Sequence, residues 1–234
     1  MRRAAALAAL VAAAWTLAGC GSQAHQPRKT ASALEPEVAD ASVLLRESRA
    51  AAYAASSVRV TGSINSRRGP ITVDVEIVAN RGGTGHVVLN GHPLEVTVVD
   101  GHTYLRAGAR LYREAGAGQV PRLANRWIEL PAHSPSTARL ASLTSLQNLL
   151  GAALSPRGHL YTEGHAMVDG REAIRLRDSA NDSALLIEAA DPHLPVRLER
   201  RGGSGTIGLS AWNAAVHLSP PAGAQTPTTL AGAR

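Results

Sequence analysis

The chain has 234 residues, of which 44% are hydrophobic and 18% are charged, with a formal net charge of +6 and a single cysteine. This length and composition suit one domain, or at most two small ones, with a substantial buried core, and they exclude a disordered chain. One cysteine excludes a disulfide scaffold, a cysteine-rich zinc module and a CxxC redox centre.

The first twenty residues have the pattern of an export signal. Arg2 and Arg3 precede an uncharged run from Ala4 to Leu17, which has the length of a signal-peptide apolar region and is too short to span a bilayer at about 20 residues. The run ends at Leu17-Ala18-Gly19-Cys20, which resembles the lipobox of bacterial lipoproteins. In that family a diacylglyceryl group is attached to the cysteine, and cleavage leaves the cysteine as the first residue. The resemblance implies a signal peptide over residues 1–19 and lipidation of Cys20.

Lipidation at Cys20 predicts an extracytoplasmic protein held on the outer face of the cell membrane. Each buried CH₂ contributes about 0.8 kcal/mol, so two or more acyl chains anchor a protein stably without spanning the bilayer. The polar composition of residues 20–36 predicts a flexible tether with a reach of roughly 20 Å. Removing Arg2 and Arg3 lowers the net charge from +6 to +4. The remaining arginines are scattered and not interleaved with aromatic residues, which argues against a nucleic-acid partner.

The exported part begins with one predicted helix, followed by a run of predicted strands. Residues 37–55 place apolar or small residues at spacings of three and four, which predicts an amphipathic helix. The next segments alternate apolar and polar residues, which is the period of a half-buried strand. These strands are predicted over 58–65, 71–77, 85–89, 94–98 and 102–106. Asn90-Gly91 and Asp100-Gly101 supply the positive φ of tight hairpins, so this region is predicted to be an antiparallel meander.

In the middle of the chain the spacing of apolar residues changes from alternation to a helical pattern, and further strands follow. Residues 116–124 are ambiguous and 126–131 predict a short extended piece. Leucines at 140, 143, 146, 150 and 154 predict one helix with an apolar stripe that packs on the core. Further strands are predicted over 159–168, 173–177, 183–189, 194–198, 206–210 and 215–218. We therefore predict an α+β domain over residues 37–221 and a disordered tail over 222–234.

The predicted sheet raises the question of what fills its inner face. A single sheet of nine or ten strands must curl, which leaves an apolar concave face for two or three helices to cover. A curved sheet lined by valine, isoleucine and leucine either packs solid or leaves an apolar pocket, and the sequence leaves both outcomes open. If a pocket is present, the residues predicted to line it are Ile71, Val73, Val75, Ile77, Leu94, Val96, Val98, Leu143, Leu146 and Leu150.

The sequence carries no strong signal for catalysis, a metal or a cofactor. Residues 203–208 match GxGxxG in letters, but residues 209–213 do not continue as a helix, so a turn between strands is the preferred interpretation. The nine histidines show neither HxH nor HExxH spacing, and we expect them to be solvated strand or turn residues. Asp74 and Glu76 lie on the polar face of one strand, where solvation explains them. GxSxG and SxxK are absent. We therefore predict a protein that is not an enzyme and holds no metal or cofactor.

Four segments occur in an order and at spacings that are informative together. They are Ala54–Gly62 at a helix-to-strand junction, Val96–Arg106 in a hairpin that carries Tyr104, Arg126–Leu130 around Trp127, and Pro192–Leu198 with its two prolines. From Cys20 to about Pro221 the chain resembles the LolA-like lipoproteins of actinobacterial cell envelopes, the group that includes the LppX and LprG types. The resemblance implies a curved antiparallel half-barrel covered by helices, which in some members encloses a cavity for acyl chains.

Two classes of function are implied by this resemblance. The first is a membrane-anchored carrier or transport accessory whose cavity holds a lipid, an acylated molecule or another apolar ligand. The alternative is a non-catalytic envelope sensor or interaction module that binds a membrane protein partner. An empty apolar cavity would favour the first class, and a solid interior with an exposed sheet edge or apolar outer patch would favour the second.

Overall fold

The structure, a computed structural model, describes residues 40–66, 69–114, 120–132, 134–200 and 204–226. The predicted signal peptide, Cys20 and the predicted tether lie outside the described residues. Helix α1 spans Ala41–Ala54. It begins after Asp40, whose carboxylate accepts a hydrogen bond from the backbone N–H of Ser42 at 2.8 Å, as N-cap residues do. The described part of the predicted first helix is therefore confirmed.

Eleven described strands form one curved antiparallel sheet. Their bounds are β1 Ser57–Ser66, β2 Gly69–Val78, β3 Gly82–Leu89, β4 His92–Val99, β5 His102–Ala107, β6 Ile128–Glu129, β7 Leu160–Val168, β8 Arg171–Asp178, β9 Ser183–Glu188, β10 Pro195–Glu199 and β11 Gly205–Ser210. The strand order is β6-β5-β4-β3-β2-β1-β11-β10-β9-β8-β7. The first and last described strands thus pair in the middle, and β6 and β7 are the edges of an open sheet.

Glycines at two positions on the inner face let neighbouring strands approach closely. Gly62 and Gly85 have φ of +140° and +156°. A Cβ at Gly62 would collide with the carbonyl oxygen of Thr206, and a Cβ at Gly85 with that of Asp74. Glycine within a strand commonly marks such bends, so these positions help the sheet to curve.

The helices that come after the meander differ from the prediction. The bounds are α2 Ala109–Glu114, α3 Val120–Leu123, α4 Pro135–Leu143 and α5 Leu146–Ala153. The single leucine helix predicted over 140–154 is wrong, because the chain breaks at Thr144 and Ser145. The hydroxyl of Ser145 accepts a hydrogen bond from the backbone N–H of Asn148 at 3.3 Å and so caps a new helix. Helix α4 packs against β4 and β5, and α5 packs against α1.

In the C-terminal segment, residues 211–226, Trp212 packs against the inner apolar cluster, and Leu218 and Ala224 pack on the outer face of the sheet. The strand predicted over 215–218 is absent from the structure, and Leu218 packs instead against Val99 and Tyr104. The predicted domain end at Pro221 is also too early. The backbone N–H of Gln225 donates to the carbonyl of Trp127 at 2.9 Å, and the carbonyl of Gln225 accepts from Glu129 at 2.8 Å. The chain therefore stays paired with the β6 edge beyond the point where disorder was predicted.

Candidate functional site

All ten residues predicted to line a ligand site lie in one apolar cluster on the concave face. Seven are buried, namely Val75, Ile77, Leu94, Val96, Val98, Leu146 and Leu150, and three are partly buried against them, namely Ile71, Val73 and Leu143. The alternation of apolar and polar residues placed the seven strand residues on the inner face, and the leucine spacing placed the three helical residues against them. Contact with a ligand stays a prediction.

The middle of the concave face is packed solid. Val75, Ile77 and Leu150 are each at most 1% exposed. Thr144, at the junction of α4 and α5, lies directly over β3, where a Cβ at Gly83 would be 3.2 Å from the Thr144 Cβ. The helices therefore leave little room above the centre of the sheet.

Toward the β1–β2 hairpin the same face is less covered. Ile64 lies opposite Ile71, which in turn lies opposite Leu89. Leu198 lies opposite Ile207, which lies opposite Gly62. These partly exposed side chains form a continuous apolar surface across β10, β11, β1, β2 and β3. We name it the aliphatic patch; its members are Ile64, Ile71, Val73, Leu89, Leu198 and Ile207. Only Ile71 and Val73 were predicted as lining residues, although the others occupy the same alternating positions.

Helix α2 is tied to the sheet beside this patch. His92 Nε2 lies 2.7 Å from Glu114 Oε2, and His92 is the cross-strand neighbour of Leu89. A hydrogen bond from Arg110 lowers the pKa of Glu114. The expectation that this histidine is solvated is wrong, because its side chain is buried under α2. Tyr112 of α2 is also buried, and its hydroxyl has no hydrogen-bond partner among the described residues.

A cavity of about 280 Å³ opens at the opposite end of the concave face. Its walls include Tyr53, Arg81, Val98 and Leu146. Two of these, Val98 and Leu146, were predicted as ligand-lining residues. The cavity lies beside the first residue of α5, Leu146, and so borders the packed centre of the concave face.

Several titratable side chains near the sheet surface are paired with a group of opposite charge. Arg59 donates two hydrogen bonds to Asp74 at 2.9 and 2.8 Å, which lowers the pKa of Asp74. His102 lies 2.7 Å from Glu129, and His165 lies 2.7 Å from Glu172. Within the described ranges no three histidine, cysteine or acidic side chains are grouped as metal ligands.

Two further sequence features can be placed in the structure. Gly205 and Gly208 of the GxGxxG match lie in β11, which begins at Gly205, so strand and not turn holds them, while residues 201–203 of the predicted turn lie outside the described residues. None of the helices described is both long and apolar enough to cross a bilayer.

No family model matches the sequence, and none of the curated proteins matches it. The solved structures that resemble the chain include two mycobacterial proteins. LprF from Mycobacterium bovis superposes with a TM-score of 0.56 and 17% identity, over 78% of this chain and 97% of that one. The lipoprotein LppX from Mycobacterium tuberculosis gives a TM-score of 0.47 and 19% identity, over 76% of this chain and 99% of that one. The chain therefore has the fold of LprF, and the half-barrel expected from its resemblance to the LppX and LprG types is confirmed.

Proposed function

We propose that this protein is an extracytoplasmic lipoprotein that carries a lipid or another apolar ligand on its aliphatic patch. The observation that supports this proposal most directly is the continuous, partly exposed apolar surface around Ile71 on the concave face. Covering apolar surface contributes about 25 cal/mol per Å², and contiguous exposed apolar surfaces of folded domains commonly mark binding sites. A flexible hydrocarbon chain would cover the patch without needing any polar partner.

The ligand is expected at the hairpin end of the sheet because the centre is filled. Val75 and Leu150 occupy the space that a deeper ligand would need. Helix α2 borders the patch through the His92–Glu114 contact, so a chain lying on Ile71 and Leu89 would run beside it. The proposed site is thus a trough on the concave face, open to solvent along one side.

Binding is tested with cis-parinaric acid, a fluorescent fatty acid, titrated into the purified full-length chain. Ile71→Asn places an amide in the patch, and Val88→Asn makes the same change at a partly exposed position on the opposite face of the neighbouring strand. We expect the first variant to weaken binding about tenfold, which corresponds to about 1.4 kcal/mol, and the second to leave binding unchanged. Equal thermal unfolding temperatures would show that both variants are folded.

Two results would contradict the carrier proposal. One is equal binding by the two variants. The other is a wild-type protein that takes up no fatty acid and brings no lipid with it from membranes in native mass spectrometry. The second result would favour the alternative function, a sensor that binds a membrane protein partner.

Membrane attachment through Cys20 is tested separately. The lipobox resemblance and the polar tether support the anchor, and Cys20→Ser removes the thiol that would be acylated. We expect this variant to leave the membrane fraction, while Ser22→Ala, a matched change in the tether, stays with it. Membrane fractionation that is unchanged in Cys20→Ser would overturn the lipoprotein assignment.

A further inference from the structure

The outer face of the sheet carries a groove with both polar and apolar walls, which the proposed carrier function does not use. Two cavities of about 450 and 360 Å³ lie over β3, β4 and β5, and both are lined by Arg106. Cavities of this size are typical of small-ligand sites. The groove lies on the opposite face of the strands from the aliphatic patch, so the two could be filled independently.

The larger cavity lies between the sheet and the C-terminal segment. Thr84 and Thr97 form part of its wall, with their hydroxyl oxygens 2.8 Å apart. His217 and Ser219 of the C-terminal segment face them across the cavity. The neighbouring Leu218 packs into the cluster with Tyr104, which fixes the segment on the sheet.

The smaller cavity continues the groove on the other side of Arg106. Its polar side chains are His86, Glu95 and Asn125. The guanidinium of Arg106 donates to the carboxylate of Glu95 and lies 5.1 Å from the ring centroid of Trp127. The guanidinium of Arg106 therefore lies over the face of the Trp127 indole at the centre of the groove.

We propose that this outer groove binds an uncharged oligosaccharide. Sugars combine apolar C–H faces with many hydroxyls, and the groove combines the Trp127 indole with hydroxyl, imidazole and amide groups that both donate and accept hydrogen bonds. The charges of Arg106 and Glu95 compensate each other, so an ionic ligand gains no net attraction.

Other classes of ligand fit the groove less well. An extended peptide binds most readily by adding a strand to a sheet edge, but the adjacent edge, β6, is already paired with Gln225. An acyl chain needs a continuous apolar trough, whereas polar side chains, among them Thr84, His86 and Asn125, interrupt the apolar parts of these walls. The groove therefore matches a carbohydrate better than a peptide or a lipid tail.

The test uses the full-length chain carrying Trp15→Phe and Trp212→Phe, in which Trp127 is the remaining tryptophan of three. Chitotetraose, maltotetraose and mannotetraose are titrated while heat and Trp127 emission are recorded. We expect saturable binding of at least one of them. His86→Ala and His217→Ala, which change exposed side chains at the two ends of the groove, should each weaken it about fivefold. His165→Ala is the matched control, because that exposed histidine lies on β7 at the far edge of the sheet.

Each outcome decides the proposal. Binding that is weakened in both groove variants, unaffected in the control and unaffected by Ile71→Asn supports a carbohydrate site separate from the aliphatic patch. No heat and no change in emission with all three oligosaccharides would overturn it. Tighter binding of tetragalacturonic acid than of the neutral sugars would overturn it as well, because it would indicate attraction of an anion to Arg106. If the protein binds an oligosaccharide but no fatty acid, the carrier proposal is wrong and the carbohydrate site is still supported.

Discussion

Truncating Leu150 measures how well the centre of the concave face is packed. Leu150 lies on α5 and is 0% exposed, whereas the adjacent Leu149 is partly buried against the same cluster. Leu150→Ala leaves a cavity that the surrounding strands and helices cannot fill, which costs about 3–5 kcal/mol. Leu149→Ala removes the same atoms from a position partly open to water, which costs about 1 kcal/mol. The expected difference is therefore about 2–4 kcal/mol.

The assay is urea unfolding of the full-length chain, followed by circular dichroism, with heating as a second measurement. For a domain of this size, each kcal/mol shifts the melting temperature by about 2–4 °C, so Leu150→Ala should melt about 10 °C below the wild type. Equal effects of the two truncations would refute the reasoning. They would show that α5 does not pack tightly against the sheet. The proposed ligand could then reach Val75 and Ile77 as well as the aliphatic patch.

Three further predictions test local features of the fold. Gly83→Val should lower the free energy of unfolding by about 2 kcal/mol or more, because its Cβ would lie 2.6 Å from the Glu76 carbonyl oxygen and 3.2 Å from the Thr144 Cβ. An unchanged melting temperature would contradict this close approach. Gly151→Ala, with nothing within 4 Å, should stabilise α5 by about 0.5–1 kcal/mol in the same assay. Backbone N–H groups bound to Asp178 lower the pKa of its carboxyl group. The ionised carboxylate therefore contributes fully to stability above the ordinary pKa of 3.8, and this contribution is lost as the pH falls through the lowered pKa of the folded protein. In Asp178→Asn, the free energy of unfolding should therefore depend less on pH in the acidic range than it does in the wild type. The same pH dependence in both proteins would argue against these hydrogen bonds.

The strands were predictable because their signals are local. In β2, Ile71, Val73, Val75 and Ile77 alternate with polar residues, and the Asn90-Gly91 turn sets the register of the next hairpin. Each of these patterns needs no information from elsewhere in the chain. The curvature was predictable only in outline, from the number of strands that one sheet would have to hold.

The features that the sequence missed depend on contacts between distant residues. Residues 215–218 look like a strand, but the packing of Leu218 against Tyr104 decides their conformation. The contact between His92 and Glu114 has no fixed spacing in sequence, so no motif could reveal it. Helix α2 did have a local signal, since Arg110 and Glu114 are four residues apart and bond at 3.0 Å, as pairs on one helix face do.

The break at Thr144 limits how much of the concave face α5 can cover. Strand β2 has 10 residues and is about 33 Å long, whereas α5 has 8 residues and is about 12 Å long. Even if α5 lay parallel to the strands, it could cover only about a third of their length. A continuous helix from 135 to 153 would reach about 28 Å and could cover most of it. Because the Ser145 cap divides that helix, α5 alone is too short to cover the sheet as far as Ile71 and Leu89, which are partly exposed.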